Sequence, residues 1–216
     1  MKCVAVSDFH MHDIETPPAD LLIVGGDMTD TGAPSQLLWF KNWLAKQPQR
    51  HKVWIAGNHE RGLEESPEWA NKIAEETGTV YLNDSSIVIE GFSIWGSPIT
   101  PTFFNWAFMA DRGAPIRKHW NKIPQGLDIL VTHGPPFGCL DLTPRGIRAG
   151  CEELLDVIKT MEQPPRVHIF GHIHGAYGRT MLRSDQGSEI AMINASVCDE
   201  GYQPSHAPTV FELAER

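Results

Sequence analysis

The sequence has few cysteines and none of the cysteine spacings typical of a structural zinc site. Only four occur in 216 residues, and they lie far apart with no C-x-x-C pair: Cys3, Cys139, Cys151 and Cys198. We expect them to be reduced and mostly buried. No apolar run approaches the length of a membrane-spanning helix, and MKCVAVSDFH reaches an acid and a histidine before a signal-peptide core could form. These absences predict a cytoplasmic protein without a membrane segment.

Positive charge is also scarce. The chain has 18 lysines and arginines against 27 acidic residues, which gives a formal net charge of −9. Strong binding to a nucleic-acid polymer needs a basic face, so this function is not expected. A small phosphate ester remains a possible substrate, because bound cations can set the local charge of a site.

Several catalytic signatures are missing. The sequence contains no G-x-S-x-G, no P-loop and no G-x-G-x-x-G, and HERGL differs from H-E-x-x-H at its last position. No linker, repeat or change in composition marks a domain boundary. We therefore expect residues 1–216 to form a single domain.

Five short apolar runs end in side chains that can bind metals. The runs are KCVAVSDFH, DLLIVGGD, HKVWIAGNHE, LDILVTHG and RVHIFGHIH, and each is typical of a buried strand. The side chains at their ends are Asp8, His10, Asp27, Asn58, His59, His133, His172 and His174. Because sites in open α/β sheets form where strands end, we expect these side chains to converge.

Helical patterns occur between the runs. SQLLWFKNWLAK places Leu37, Phe40 and Leu44 on one face, and SPEWANKIAEE begins with Ser66 as the expected cap and Pro67 at the first helical position. CEELLDVIKTM has a third apolar stripe. The alternation of strands and helices predicts a layered α/β domain.

Six further apolar runs lie too close in sequence for helical crossovers. They are TVYLN, SIVIE, FSIWG, GRTMLR, EIAMIN and TVFEL. We expect antiparallel pairing among them, and hence a second sheet.

The candidate ligands are two carboxylates, one carboxamide and four imidazoles, without a thiolate. This set suits Mn²⁺, Fe or Zn²⁺ better than copper or calcium. Seven ligands are too many for one tetrahedral ion but fit two ions that share a carboxylate. Two such ions lower the pKa of a water between them and hold phosphoryl oxygens, which predicts metal-dependent hydrolysis of phosphate esters. His59, next to Asn58, is not needed as a ligand; we expect it either to donate a proton to the leaving oxygen or to stabilise the charge that develops there.

Five motifs carry a resemblance to a known family. DFH, GGD, GNHE, THG and GHIH, in that order over residues 3 to 175, resemble the motifs of the calcineurin-like metallophosphoesterase superfamily. Three longer stretches, GFSIWGSPITPTFFNWAF, GLDILVTHGPP and INASVCDEGYQPSHAPTVFEL, resemble the subgroup of metallophosphoesterase-domain-containing proteins. The resemblance implies a two-sheet β-sandwich flanked by helices, in four α/β/β/α layers.

The resemblance also implies a role for each motif residue. Asp8, His10 and His174 would hold the first metal, Asp27 would bridge both, and Asn58, His133 and His172 would complete the second, with His59 acting on the leaving group. Some animal members of the subgroup carry glycine at the position of His172, which weakens their second metal site. The full set here implies stronger two-metal activity, with Mn²⁺ the first expectation and Fe or Zn²⁺ the alternatives.

The expected function is a phosphodiesterase on small substrates such as cyclic nucleotides. A phosphomonoesterase, including a protein serine/threonine phosphatase, is the alternative, since it would use the same ligands. A non-catalytic scaffold is disfavoured, because such scaffolds dispense with a working ligand set and none of the motif ligands is missing here.

Other residues near the motifs are assigned less specific roles. Asp30 is expected to shape a turn, and Glu60 to orient a ligand histidine. The aromatic residues of segment 103–108 either line a base pocket, form a dimer contact or pack in the core: Phe103, Phe104, Trp106 and Phe108. Three arginines either contact a substrate phosphate or are surface charges: Arg145, Arg148 and Arg179. The remaining histidines are expected at the surface or in structural roles: His12, His51, His119, His168 and His206.

Overall fold

The computed structural model describes residues 1–215, and its elements alternate along the chain. The strands are β1 (Lys2–Val6), β2 (Leu21–Val24), β3 (His51–Trp54), β4 (Val80–Tyr81), β5 (Ser85–Ile89), β6 (Phe92–Ser97), β7 (Thr100–Pro101), β8 (Met109–Ala110), β9 (Ile129–Thr132), β10 (Val167–Phe170), β11 (Gly178–Arg183), β12 (Glu189–Asn194) and β13 (Thr209–Glu212). The helices are α1 (Pro34–Lys46), α2 (Arg61–Glu65), α3 (Glu68–Thr77), α4 (Ala114–Trp120) and α5 (Glu152–Thr160).

The strands form two large sheets. The first has the order β13-β1-β2-β3-β4, in which β1 to β4 are parallel and β13 is antiparallel to β1. The second has the order β11-β12-β10-β9-β6-β5, with a parallel centre and an antiparallel pair at each edge. Strands β7 and β8 pair separately.

The grouping of strands into sheets was predicted only in part. The antiparallel pairs β5–β6 and β11–β12 are confirmed. However, β4 and β13 join the first sheet, and β9 and β10 belong to the second. Strand β4 pairs parallel to β3 because α2 and α3 lie between them and provide the crossover that a parallel pair needs. The five strands that carry candidate ligands therefore come from both sheets.

The apolar side chains arrange these elements in four layers. Residues such as Ala5 and Ile23 of the first sheet pack against Ile94 and Val131 of the second, so the central core lies between the sheets. The outer face of the first sheet is covered by α1 and α3. The outer face of the second is covered by α4 and α5. The predicted sandwich of two sheets with flanking helices is confirmed.

The helices differ from the sequence prediction in number and in one cap, because α2 and α4 were not predicted. In α1, Leu37, Phe40 and Leu44 are buried as expected. The predicted cap of α3 was wrong, because Ser66 ends α2 and Pro67 precedes the first residue of α3 without any side-chain cap bond. The short helix α2 occupies the residues just before Ser66, which places Ser66 at its C-terminus.

All four cysteines are buried and unpaired, as predicted. Within residues 1–215, no helix combines the length and the apolar character needed to cross a lipid bilayer.

A buried histidine ties together two strands of the second sheet. His168 of β10 is fully buried, and its Nε2 lies 2.8 Å from the Thr132 hydroxyl of β9. That hydroxyl donates to the Gly134 carbonyl at 2.7 Å, so Nε2 of His168 must be the donor to it. Burial lowers the pKa of His168 to about 3, which keeps the ring neutral.

We predict that His168 makes the protein sensitive to acid. The folded state does not bind a proton on His168 between its lowered pKa and the ordinary value near 6.5, whereas the unfolded state does. The free energy of unfolding should therefore fall with decreasing pH in this range, by about 1.4 kcal/mol per unit. His168→Gln keeps a donor for Thr132 but does not titrate. Denaturant melts at pH 6.5 and 5 with a chelator present should show a smaller loss in this variant, and equal losses would contradict the prediction.

Candidate active site

The predicted ligands meet at one edge of the sandwich. Asp8 and His10 follow β1, Asp27 follows β2, Asn58 follows β3, His133 follows β9, and His172 and His174 follow β10. Ligand atoms lie within 4.8 Å of one another in each of two groups, namely Asp8, His10 and His174, and Asp27, His133 and His172. A third group of the same kind joins Asp27 to His10 and His59. Asp27 therefore lies between the first and second groups.

The first group has the spacing of ligands around one ion. The Nε2 atoms of His10 and His174 are 3.3 Å apart, and Nε2 of His174 is 3.4 Å from Oδ1 of Asp8. Two nitrogens bound to one ion at about 2.1 Å lie roughly 3.0 to 3.4 Å from each other. Nδ1 of His10 is buried and has no hydrogen-bond partner within residues 1–215. This donor set fits a divalent metal.

The second group is arranged around His133. Its Nε2 lies 3.0 Å from Oδ1 of Asn58 and 3.2 Å from Oδ2 of Asp27. The ring of His172 is 5.1 Å from the ring of His133. Nitrogen and oxygen donors of this kind again fit Mn²⁺, Fe or Zn²⁺.

The far nitrogens of two histidines are anchored to the backbone. Nδ1 of His133 donates to the Gly25 carbonyl and Nδ1 of His174 to the Asp199 carbonyl, both at 2.9 Å. A carbonyl only accepts hydrogen bonds, so each Nδ1 carries the hydrogen and each Nε2 is directed at the carboxylates. Metal-binding histidines commonly have this arrangement.

The two carboxylates remain ionised although they are buried. Burial alone would raise the pKa of Asp8 and of Asp27, but attraction and hydrogen bonding from His174 and His133, respectively, hold both well below the usual range. The same contacts outweigh burial and raise the pKa of His133 and of His174. The attraction between these groups thus favours ionised carboxylates beside positively charged imidazoles.

Glu60 supports the site in a different way from the one predicted. Its carboxylate is completely buried and accepts from the backbone N–H groups of Asp27, Gly57 and Thr29 at 2.7 to 2.9 Å. It also accepts from the Thr29 hydroxyl at 2.9 Å. Burial, with repulsion from Asp27, raises the pKa of Glu60 to about 7. Glu60 therefore holds two ligand loops together instead of orienting a histidine.

Four of the candidate ligand residues have left-handed backbone conformations. The φ angles are 53° at Asp8, 36° at His10, 51° at Asp27 and 69° at His172. Such angles are uncommon outside glycine, and they persist where surrounding contacts enforce them. The backbone N–H of His172, for example, donates to both oxygens of Asp8 at 2.9 Å.

His59 lies beside the candidate ligands with one nitrogen fixed. Its Nδ1 donates to the backbone carbonyl of Asp30 at 2.8 Å, and its backbone N–H donates to Oδ1 of Asp27 at 2.9 Å. The ring is 4.7 Å from that of His10. The Nε2 atom is thereby left for other partners.

Two aromatic residues contact the histidines of the site in a way that the sequence did not predict. The Tyr202 ring is 4.6 Å from His10 and 5.2 Å from His174, and Trp106 stacks on His59 at 4.5 Å. Tyr202 was not singled out at all; its only signal was its place in the stretch that follows β12.

The aromatic residues of segment 103–108 and the three arginines named above lie at the site, in the core or at the surface. Phe103 contacts the ring of His172 at 5.1 Å, Phe108 is buried in the core, and Phe104 is 90% exposed. Arg148 pairs with Asp141 at 2.7 Å, and Arg179 donates to the Val210 carbonyl at 2.5 Å. Arg145 is exposed.

Comparison with known proteins agrees with this geometry. The family model described as "Calcineurin-like phosphoesterase" matches residues 2–176. The chain belongs to the calcineurin-like phosphoesterase family. It is 40% identical to human metallophosphoesterase domain-containing protein 1, over 98% of this chain and 71% of that protein. It is 34% identical to UPF0046 protein T07D4.2 of Caenorhabditis elegans, over 98% of this chain and 59% of that protein.

Solved structures share the fold at low sequence identity. One covers 89% of both chains with a TM-score of 0.66 at 18% identity. The crystal structure of TT1561 of Thermus thermophilus covers 88% of both chains with a TM-score of 0.60 at 13% identity. Family membership supports metal-dependent hydrolysis of phosphoesters as the general activity.

We predict that Gly171→Ala disrupts the first ligand group. A Cβ at this position would lie 2.0 Å from Oδ2 of Asp8 and 2.2 Å from Oγ of Ser7, so the carboxylate must move. Mn²⁺ affinity, measured by calorimetry, should fall roughly 10- to 100-fold, as for other losses of support around metal ligands. Gly78→Ala, at the C-terminus of α3, is the control, because its Cβ meets nothing within 4 Å. Equal affinities in the two variants, with both folded by circular dichroism, would contradict the prediction.

Proposed function

We propose that this chain is a phosphodiesterase for small phosphate diesters such as cyclic nucleotides, and that it works with two divalent ions, Mn²⁺ in the first place and Fe or Zn²⁺ as alternatives. The observation that carries the proposal is the position of Asp27 between the two ligand groups, with His59 next to it. Ions bound there supply a Lewis acid for phosphoryl oxygens and lower the pKa of a bound water.

The chain's own residues perform the remaining tasks. Asp8, Asp27, Asn58 and the four ligand histidines provide the donors, and their fixed backbone keeps those donors in place before substrate arrives. His59 is the general acid in this proposal. Its Nδ1–H donates to the Asp30 carbonyl, so the acid form in this proposal is the doubly protonated ring, which gives its Nε2 proton to the leaving oxygen.

Two further features agree with the proposed substrate and setting. The net charge of −9 argues against a nucleic-acid polymer as the main partner, so a small ester that binds through ions is favoured. Four unpaired, buried cysteines suit a reducing compartment such as the cytoplasm.

The first test compares diesters with monoesters. The protein is stripped of metal, supplied with Mn²⁺ and assayed on bis(4-nitrophenyl) phosphate and 4-nitrophenyl phosphate, with Asp27→Ala alongside. We expect Mn²⁺-dependent turnover with a preference for the diester, and none in the variant, because Asp27 belongs to the second ligand group and also lies within ligand spacing of His10 of the first. A preference for the monoester would identify a phosphatase instead. Metal uptake without turnover of either compound would contradict the proposal.

The second test addresses His59. His59→Ala should retain both ions, because the backbone N–H at position 59 still reaches Asp27. Turnover of diesters with poor, alkyl leaving groups should fall roughly 10²- to 10⁴-fold. A 4-nitrophenyl diester should be affected much less, because its leaving oxygen needs no proton. An equal loss on both kinds of diester would remove His59 from the role of acid.

A further inference from the structure

The segment between β7 and β8 forms a loop whose ends are held together. Strands β7 and β8 pair at Thr100 with Met109 and at Pro101 with Ala110, so residues 102–108 project as a compact loop. We call residues 102–108 the aromatic loop. It contains Phe103, Phe104, Trp106 and Phe108.

The aromatic loop is fixed to the segment that carries Asn58 and His59. The Ala107 N–H donates to the Asn58 carbonyl at 3.1 Å, and the Phe108 N–H donates to Oε1 of Glu64 at 2.7 Å. The Arg61 guanidinium donates to the Asn105 carbonyl. Three bonds on both sides of Trp106 therefore set its position relative to His59.

Trp106 lies against the face of the His59 ring. The two rings are stacked, with centroids 4.5 Å apart and an angle of 30° between their planes. Trp106 is 37% exposed, so it adds little to the buried core. Its main described contact is with His59 at the site. The hydrogen bond from Nδ1 of His59 to Asp30 and the bond to Cβ hold one side of the ring, and the ring plane can still tilt because a hydrogen bond tolerates a range of angles. A flat indole against the ring face restricts this tilt.

We propose that Trp106 is a positioning residue that aims Nε2 of His59 at the leaving oxygen. The inference rests on the proposed function. In the step concerned, the water oxygen forms a bond to phosphorus while the bond from phosphorus to the leaving oxygen breaks. The His59 imidazolium gives its Nε2 proton to that leaving oxygen and becomes neutral; the proton lost by the water passes to solvent, from which Nε2 is protonated again. If the imidazole is tilted, the distance between Nε2 of His59 and the leaving oxygen increases, while the candidate metal ligands are unchanged.

The test uses leaving-group dependence, which a merely structural role would not change. Trp106→Ala, Trp106→Phe and the double variant with His59→Ala are assayed with Mn²⁺ on a 4-nitrophenyl diester and on a diester with an alkyl leaving group. We expect Trp106→Ala to lose roughly 10- to 100-fold in kcat on the alkyl diester and less than about threefold on the 4-nitrophenyl diester. Trp106→Phe, which keeps a flat ring, should recover most of the loss.

Two comparisons separate positioning from general damage. In the His59→Ala background, Trp106→Ala should have no further effect on the alkyl diester, because the group it positions is gone. Phe104→Ala is the matched control on the same loop, since Phe104 is 90% exposed, and it should behave as wild type on both diesters. Mn²⁺ content should be equal in all variants.

The outcomes distinguish this inference from the proposed function. A wild-type protein that turns over neither diester would overturn the proposed function, and the inference with it. An active wild type with a selective His59→Ala loss, but an unselective or absent Trp106→Ala loss, would overturn the inference alone. Additive losses in the double variant would also overturn it.

Discussion

Two carboxylates buried within one small site are the constraint on which the structure depends. Asp8 is fully buried and Asp27 is 2% exposed, and buried charges are costly unless they are paired and hydrogen-bonded. His174 and His133 supply positive charge, while the backbone N–H groups of residues 59 and 172 supply hydrogen bonds. These partners follow strands of both sheets, so the sheets must end together at this edge.

The loops that carry the candidate ligands are rigid for reasons separate from the metal. Glu60 binds the backbone of Asp27 and Gly57 through one carboxylate, so the loops after β2 and β3 cannot separate without exposing a buried group. Asp8 likewise accepts from the Ser196 hydroxyl at 2.8 Å. The left-handed conformations of the ligand residues are maintained by these bonds. Preorganised donors bind a metal with less loss of conformational entropy.

The convergence of the candidate ligands could be predicted because each follows an apolar run. The end of such a run can be recognised from the order of apolar and polar residues in the sequence. The sequence could not assign β4, β9 and β10 to the correct sheets. Strands β9 and β10 are buried on both faces, and β4 has only two residues, so none of the three has a polar/apolar alternation that indicates its neighbour. Trp106 and Tyr202 lie in loops, where aromatic residues follow no periodicity. The partners of Glu60 were missed because they are backbone N–H groups, which the side-chain sequence does not display.

His172 shows how the two ligand groups are coupled and how they can be separated. Its ring belongs to the second group with Asp27 and His133, whereas its backbone N–H donates to Asp8 of the first. Any residue at this position other than proline provides the N–H, so only the ring is specific to the second group. The φ angle of 69° also favours glycine over every other residue. A glycine here therefore relieves strain, keeps the bond to Asp8 and removes one member of the second ligand group. The fold thus permits the loss of one candidate ligand of the second group at this position without loss of the backbone bond to Asp8.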